Sequence, residues 1–237
     1  MRWKGTLVAF CCIFLCSMGF SMRTDAASVS FAKESVVLNV GQSKTLTLKH
    51  ADNSLQVLDS SVNHGGYTYR VLSSSKIQVT AKKPGISSII VSSGGKTDYA
   101  WVCVMPGKNK QIKQKTTPQG TKITYKKVSL TLPKRWKPSK YLMLTTKNSI
   151  SFHAKSSYKK GYTGTVLTVN WCTQKKWRQL KNGLPNYQYL GKKGNRVFYV
   201  TLPTDVQFCL DKPKYQKQYM ALTETVDSII ASIKCKK

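Results

Sequence analysis

The sequence is poor in acidic residues and histidine, and it carries no familiar motif of catalysis or metal binding. Asp and Glu together number 9 and His 3 in 237 residues, against 39 Lys and Arg. There is no G-x-S-x-G turn, no glycine-rich phosphate loop and no CxxC pair, which are signatures of serine hydrolases, nucleotide-binding proteins and many zinc sites. We therefore expect no metal, no cofactor and no enzyme of these classes.

Long apolar runs are confined to the first 26 residues. Arg2 and Lys4 precede an apolar stretch at 7–20, and small residues occupy the −3 and −1 positions of a cut after Ala26. This pattern predicts a secretory signal peptide over 1–26. A retained anchor is the alternative, although the stretch is shorter than the ~20 apolar residues of a spanning helix. We expect a secreted, extracellular protein associated with the cell surface, without a further transmembrane segment.

Charge of one sign dominates the composition. The formal net charge is +30, and such a field attracts polyanions such as wall phosphates, anionic lipid, acidic polysaccharide and nucleic acid. The cations are mostly Lys, with only six Arg. Because Arg is the usual residue for bidentate reading of phosphates and bases, this composition favours loose electrostatic binding over sequence-specific recognition of nucleic acid. The alternative is that the lysines serve solubility alone.

Cysteine usage leaves two interpretations open. Four cysteines remain after the predicted cleavage, namely Cys103, Cys172, Cys209 and Cys235. In an exported protein they allow two disulfides with three possible pairings, and a bridge among the last three is favoured because they share the second half of the chain. Free, buried thiols are the alternative. The sequence does not indicate an oligomeric state.

Residues 27–105 are predicted to form an all-β domain. Short alternating apolar runs are separated by Gly, Pro, Ser and Asn at the spacing of a β-sandwich of about seven strands. The segments LNVGQSKTLTL (38–48) and YRVLSSSKIQVTAKKPGISSIIVSS (69–93) resemble the bacterial Ig-like domains of group 2, above all in the K-x-P-G turn. The resemblance implies an Ig-like spacer or adhesion module without catalytic residues. The W-x-S-x-D segment of that family is missing from 51–66.

The second half of the chain is predicted to be a separate α+β domain. Residues 106–121 (PGKNKQIKQKTTPQGT) have almost no apolar side chains, which predicts a basic linker. Residues 122–237 combine predicted strands with one amphipathic helix, which is capped by Asp211, has Pro213 in its first turn and runs to about Lys234. The apolar stripe of this helix must cover an antiparallel sheet.

Four segments of this half also carry a resemblance: VSLTLPKRW (128–136), SISFHAKSSYKKGYTGTVLTVNW (149–171), LPNYQYLG (184–191) and VFYVTLPTDVQF (197–208). They resemble a small PsbP-like α+β module found in secreted proteins of Gram-positive gut anaerobes. The opening strand that ends in Pro, with a Trp shortly after it, is the main point of likeness. The resemblance implies a fold and no established activity.

Candidates for catalysis are few. His153 and Cys172 are both predicted on strands of this half and make one conceivable base–nucleophile pair. Asp205 is an acid outside the predicted helix and close to aromatic residues, although a turn after Pro203 explains it as well. These candidates do not amount to a predicted active site.

Candidates for binding are four basic clusters, two of which enclose a tryptophan: Lys134, Arg135, Trp136 and Lys137; Lys159, Lys160 and Tyr162; Lys175, Lys176, Trp177 and Arg178; Lys192 and Lys193. Rings that stack and cations that neutralise are typical of surfaces for carbohydrate phosphates or single-stranded nucleic acid. The alternative is that Trp136 and Trp177 anchor loops to the core.

We therefore predict a secreted, non-catalytic protein of the cell surface or cell wall. Its Ig-like domain is a spacer or adhesion module, and its basic domain binds an anionic polymer. A secreted enzyme or enzyme inhibitor built on the second domain is one alternative, and extracellular nucleic-acid binding is another.

Overall fold

The chain is described by a computed structural model over residues 27–58 and 66–236. The described chain is β-rich, as the sequence predicts, and its strands form four sheets. The predicted signal peptide lies outside the described residues. In the described ranges no helix has both the length and the apolar character needed to cross a membrane.

The N-terminal half consists of two four-stranded sheets. Its strands are β1 Ser30–Phe31, β2 Ser35–Asn39, β3 Ser43–Lys49, β4 Gln56–Leu58, β5 Tyr67–Ser73, β6 Lys76–Ala81, β7 Gly85–Ser93 and β8 Lys96–Met105. One sheet has the order β1-β3-β6-β5 and the other β2-β8-β7-β4, with β2 parallel to β8. Alternate residues of the strands are buried, as in β6, where Ile77 and Val79 point inwards. Both sheets contribute to one apolar cluster.

The C-terminal half combines two further sheets with short helices. Its strands are β9 Ile112–Thr117, β10 Gly120–Tyr125, β11 Val128–Pro133, β12 Tyr141–Thr146, β13 Ser149–Ala154, β14 Thr165–Thr173, β15 Tyr187–Lys193, β16 Arg196–Thr201 and β17 Lys234–Cys235. Its helices are α1 Lys155–Tyr158, α2 Gln174–Leu180, α3 Pro213–Thr223 and α4 Val226–Ala231. The sheets have the orders β17-β11-β10-β9 and β12-β13-β14-β16-β15. Residues of both sheets and of α3 and α4 share one core.

The predicted linker at 106–121 is corrected by the structure. Most of this segment forms β9 and the turn into β10, so the connection between the halves is only the stretch 106–111. The sequence does not predict β9, because this strand lies at a sheet edge and its lysines face solvent. Gly120 is required in the turn, because its φ is +147° and a Cβ there would lie 2.0 Å from the carbonyl oxygen of Leu132.

The single long helix is also corrected. The chain forms α3 and α4 with a break at Glu224 and Thr225, and it ends in β17 instead of continuing as helix. The predicted capping residue Asp211 lies outside α3, whose N-cap position is Lys212. The apolar stripe is nevertheless buried as predicted, because each short helix packs its own part of it on the core.

The two halves meet through a third buried cluster, centred on Cys103, Leu142 and Tyr158. The Tyr158 hydroxyl donates a hydrogen bond of 2.9 Å to the carbonyl oxygen of Val104. Gly161 packs on the ring of Trp101 so closely that a Cβ would lie 2.2 Å from the Trp101 Cγ. Burial also raises the pKa of the Cys103 thiol to about 11. The close packing of the two halves at Trp101 therefore depends on Gly161, which has no side chain and a φ of +90°.

We expect Gly161→Ala to weaken the contact between the halves. Gly194→Ala is the matched control, because Gly194 also has a positive φ but a Cβ there would meet no atom within 4 Å. Both variants carry backbone strain of about 1–2 kcal/mol, and Gly161→Ala adds a clash of about 1–3 kcal/mol. Urea unfolding and protease cleavage at 106–111 measure the difference. Equal stability and equal cleavage of the two variants would contradict this packing.

Candidate polyanion-binding surface

An aromatic cluster lies on the outer side of the five-stranded sheet. The ring of Trp177 is centred 4.9 Å from that of Tyr199, 5.3 Å from that of Tyr187 and 5.8 Å from that of Tyr189. We call these four residues the aromatic cluster. Tyr199 is buried, whereas Tyr187 and Tyr189 are 39% and 50% exposed. The cluster thus has an anchored inner ring and two rings open to solvent.

Local sequence explains why these rings meet. Thr173 ends β14, and its hydroxyl accepts a hydrogen bond from the backbone N–H of Lys176, which starts α2 and brings Trp177 over β16. Tyr187 and Tyr189 are two residues apart on β15 and therefore share a face of the strand. Tyr189 is also directly opposite Tyr199 in the antiparallel pairing of β15 with β16. The start of α2 and the alternation of side chains along β15 together bring the rings of the cluster into contact.

Exposed cations border the aromatic cluster. Lys175, Lys176 and Arg178 are on α2, and Lys192 and Lys193 are on the β15–β16 hairpin. Burial raises the pKa of the Cys172 thiol, and the positive charge of Lys176 opposes this shift, which indicates that the ammonium group lies close to the start of α2. Lys192 is opposite Val197 and therefore shares the face of Tyr199, whereas Lys193 is opposite Arg196 on the other face and its charge acts on Cys235. We call the aromatic cluster together with Lys175, Lys176, Arg178 and Lys192 the aromatic–basic surface.

The cluster at 134–137 has a different role. Trp136 is only 2% exposed, packs on Tyr141 and Phe152, and donates a 2.9 Å hydrogen bond from Nε1 to Thr225 Oγ1. Its prediction as a stacking residue is corrected, because a buried ring cannot meet a ligand. Arg135 forms a 2.9 Å salt bridge with Glu224. Trp136 is instead an anchor for the break between α3 and α4, while Lys134 and Lys137 are exposed beside it.

The cluster at 159–162 belongs to the contact between the halves. The carbonyl oxygen of Lys159 accepts a 3.3 Å hydrogen bond from the Ser35 hydroxyl. Lys160 and Tyr162 line a cleft at this contact, together with residues of β8. These residues are therefore not part of the aromatic–basic surface.

The residues considered for catalysis do not come together. His153 pairs with Thr165 across β13 and β14, so Cys172 lies seven residues further along β14, about 23 Å away. The His153 ring instead contacts the Ser151 hydroxyl at 2.7 Å and the Thr163 carbonyl oxygen at 2.9 Å. Asp205 accepts a 2.6 Å hydrogen bond from Gln207 Nε2, which fits a structural turn.

The cysteines of the described chain are free thiols, so the predicted bridge among Cys172, Cys209 and Cys235 is not formed. Cys103 is buried and the other three are partly exposed. Within 27–58 and 66–236 no three His, Cys, Asp or Glu side chains come together as a metal site.

Sequence reasoning missed the three tyrosines of the aromatic cluster. The Y-x-Y spacing of Tyr187 and Tyr189 is a usable signal, because alternate residues of a strand share a face. Tyr199 gave no such signal, since it lies in the apolar run VFYV and its partner is set by the pairing of β15 with β16.

Comparison with known proteins gives no family. No family model matches the sequence, and no curated protein matches it. The structure resembles the S-layer protein rSbsC at 14% identity and a TM-score of 0.31, over 74% of this chain and 21% of that chain. It resembles domains 5–6 of the S-layer protein SbsC at 18% identity and a TM-score of 0.29, over 75% of this chain and 84% of that one. An endo-fucoidan hydrolase of glycoside hydrolase family 107 aligns at 11% identity and a TM-score of 0.29, over 78% of this chain and 26% of that one.

Likenesses of this extent do not assign the chain to a family. The chain spans about a fifth of the first of these structures. The class that the geometry itself defines is a β-rich module with an exposed aromatic and basic surface.

We expect Trp136→Phe to lower the free energy of unfolding without changing ligand binding. The smaller ring loses the hydrogen bond to Thr225 and part of its packing, which costs about 1–3 kcal/mol. Chemical denaturation and a polyanion-binding titration measure the two effects. If the folded variant binds the polyanion more weakly than the parent protein, Trp136 would have to be part of the binding site.

We expect stability to fall as the pH drops below the ordinary pKa of histidine, about 6.5. Burial lowers the pKa of His153, so the folded protein holds the ring neutral while the unfolded chain takes up a proton. The stabilisation is complete above the unfolded pKa and is lost below it, by at most about 1.4 kcal/mol per pH unit. In unfolding measurements between pH 7.5 and 5.5, the free energy of unfolding of the parent protein should fall as the pH falls. This fall should be smaller in His153→Gln and unchanged in the control, His50→Asn. An equal fall in His153→Gln and the parent protein would contradict the role given to His153.

Proposed function

We propose that this protein is a secreted, non-catalytic component of the cell surface or cell wall that binds an anionic polymer through its aromatic–basic surface. In this proposal the N-terminal half is a bacterial Ig-like spacer or adhesion module of the group 2 type. The C-terminal half is a PsbP-like α+β domain that carries the binding surface. The pattern of residues 1–26 supports export.

The observation that carries the proposal is the fixed position of Trp177 among three tyrosines, on a helix that also carries Lys175, Lys176 and Arg178. Rings held by packing lose little conformational freedom when a ligand binds, and this lowers the cost of association. The inner ring, Tyr199, is buried and holds Trp177, while Tyr187 and Tyr189 present open faces. Such an arrangement is preorganised for a chain that lies across it.

The charges favour a polymer over a small anion. The four cations of the surface come from two elements, three from α2 and Lys192 from β15. Three of them are lysines, which act as hydrated point charges and suit repeated, loosely placed anionic groups. A polymer can contact both groups of cations at once, and each contact adds to the affinity through release of counterions.

Extracellular single-stranded nucleic acid is the second candidate. Exposed tyrosines can stack on bases of any sequence, and the lysines would neutralise the phosphates. The rings distinguish the two candidates, because a polymer without aromatic groups gains less from Tyr189 than a nucleic acid does.

The test compares two variants that lose the same charge. One replaces Lys175, Lys176 and Lys192 with Gln. The control replaces Lys49, Lys76 and Lys82, which are exposed on the N-terminal half, with Gln. Binding of fluorescent poly(glycerol phosphate) is measured by anisotropy from 20 to 300 mM salt.

We expect the first variant to lose at least about tenfold in affinity and to have a shallower salt dependence, because up to about three phosphate contacts are removed. The control should change by less than about threefold, because only the long-range field is altered. Equal losses in both variants, or no binding by the parent protein at 20 mM salt, would contradict the proposal.

Tyr189→Ala separates the two candidates in the same assay. A stacked base contributes about 1–3 kcal/mol, so this variant should weaken binding of a thymidine 20-mer by about fivefold or more. Under the leading proposal it changes binding of poly(glycerol phosphate) less, and the parent protein prefers that polymer over the 20-mer. A preference for the 20-mer that Tyr189→Ala abolishes would favour nucleic acid.

A further inference from the structure

A cleft separate from the aromatic–basic surface lies where the two halves meet. This cleft has a volume of about 410 Å³, which is within the range of about 300–1,000 Å³ typical of ligand sites. Tyr99 and Trp101 of β8 form its wall on the N-terminal half. Tyr162, in the loop after α1, forms its wall on the C-terminal half. Ligand sites are common at such junctions between domains.

The aromatic walls of the cleft are held in place. The rings of Tyr99 and Trp101 are edge to face, with centroids 5.6 Å apart. Trp101 is fixed on one side by Gly161. Interaction with the side chain of Cys209 raises the pKa of Tyr162, so the two side chains lie close together. Tyr99 is 54% exposed and Tyr162 36% exposed, so both rings are accessible.

The charged groups of the cleft are mixed and mainly acidic. Glu34, Asp98 and Asp211 contribute three of the 9 acidic residues of the chain, while Lys160 and Lys212 contribute two ammonium groups. The backbone N–H of Phe31 donates a 2.6 Å hydrogen bond to Asp98 Oδ2 and so orients this carboxylate. In a protein with a net charge of +30, the cleft differs from the rest of the surface because acids outnumber lysines among its lining residues.

We propose that the cleft binds an uncharged pyranose unit of a glycan. The C–H face of a sugar ring is apolar and can lie against Tyr99 or Tyr162. Sugar hydroxyls both donate and accept hydrogen bonds, and the carboxylates accept them while the ammonium groups donate them. The combination of accessible rings with both kinds of hydrogen-bonding group fits a neutral polyhydroxyl ligand.

The site is independent of the aromatic–basic surface. Its walls come from β8 and from the segment after α1, and it shares no residue with the rings around Trp177. Binding through stacking and neutral hydrogen bonds is little affected by salt, whereas polyanion binding is screened. A salt concentration that abolishes polyanion binding therefore leaves the glycan site measurable.

The test uses the mature chain at 0.5 M NaCl with a panel of uncharged oligosaccharides. The probes are oligomers of N-acetylglucosamine, glucose, mannose, galactose and xylose. Saturation-transfer NMR detects binding, and calorimetry measures the affinity of any oligomer that binds. The variant is Tyr99→Ala, and the control is Tyr69→Ala, another exposed tyrosine on the same half.

We expect at least one oligosaccharide to bind at 0.5 M NaCl, with about tenfold weaker binding by Tyr99→Ala because a stacking surface is lost. Tyr69→Ala should bind like the parent protein. The proposal is overturned if no oligosaccharide binds at millimolar concentration, or if Tyr69→Ala and Tyr99→Ala lose affinity equally.

Discussion

The excess of positive charge is the constraint on which the rest of the molecule depends. With 39 cations and 9 acids, at least thirty cations have no acidic side chain to pair with, so ion pairing cannot hold this fold together. Apolar packing must offset the repulsion, and the structure provides it in two main cores and a smaller one between the halves. The lysines consequently lie on the surface, where their field is available to a partner of opposite charge.

Three tryptophans show how aromatic side chains organise such a molecule. Trp136 is buried and fixes the break between α3 and α4 through Thr225. Trp101 lies at the contact between the halves, where it packs on Gly161 and lines a cleft. Trp177 is on the surface among tyrosines and lysines. Similar local sequences, a tryptophan among basic residues at 134–137 and 175–178, thus lead to opposite environments, because the packing of distant elements decides which ring is covered.

Much of the fold follows from the sequence. The alternating apolar runs of 27–105 predict strands and no helix, and the described residues of this range form β1 to β8, because the alternation is read from local residues alone. The strand β9 was missed because an edge strand with lysines on its exposed side has almost no apolar signal. The break in the C-terminal helix could not be predicted, since it depends on a contact between Thr225 and Trp136, 89 residues apart. For the candidate site, the cations and Trp177 were found, but the tyrosines that hold the ring are brought to it by the pairing of β15 with β16.

The central claim is that this positively charged protein binds a polyanion at one place, the aromatic–basic surface. Backbone NMR of the mature protein during titration with poly(glycerol phosphate) tests it most directly. The account predicts that chemical-shift changes concentrate in α2 and the β15–β16 hairpin, with a large shift of the Trp177 indole N–H. Changes spread evenly over the lysines of both halves would contradict it, because they would mean that the polymer binds the positive charge of the whole molecule and not the aromatic–basic surface.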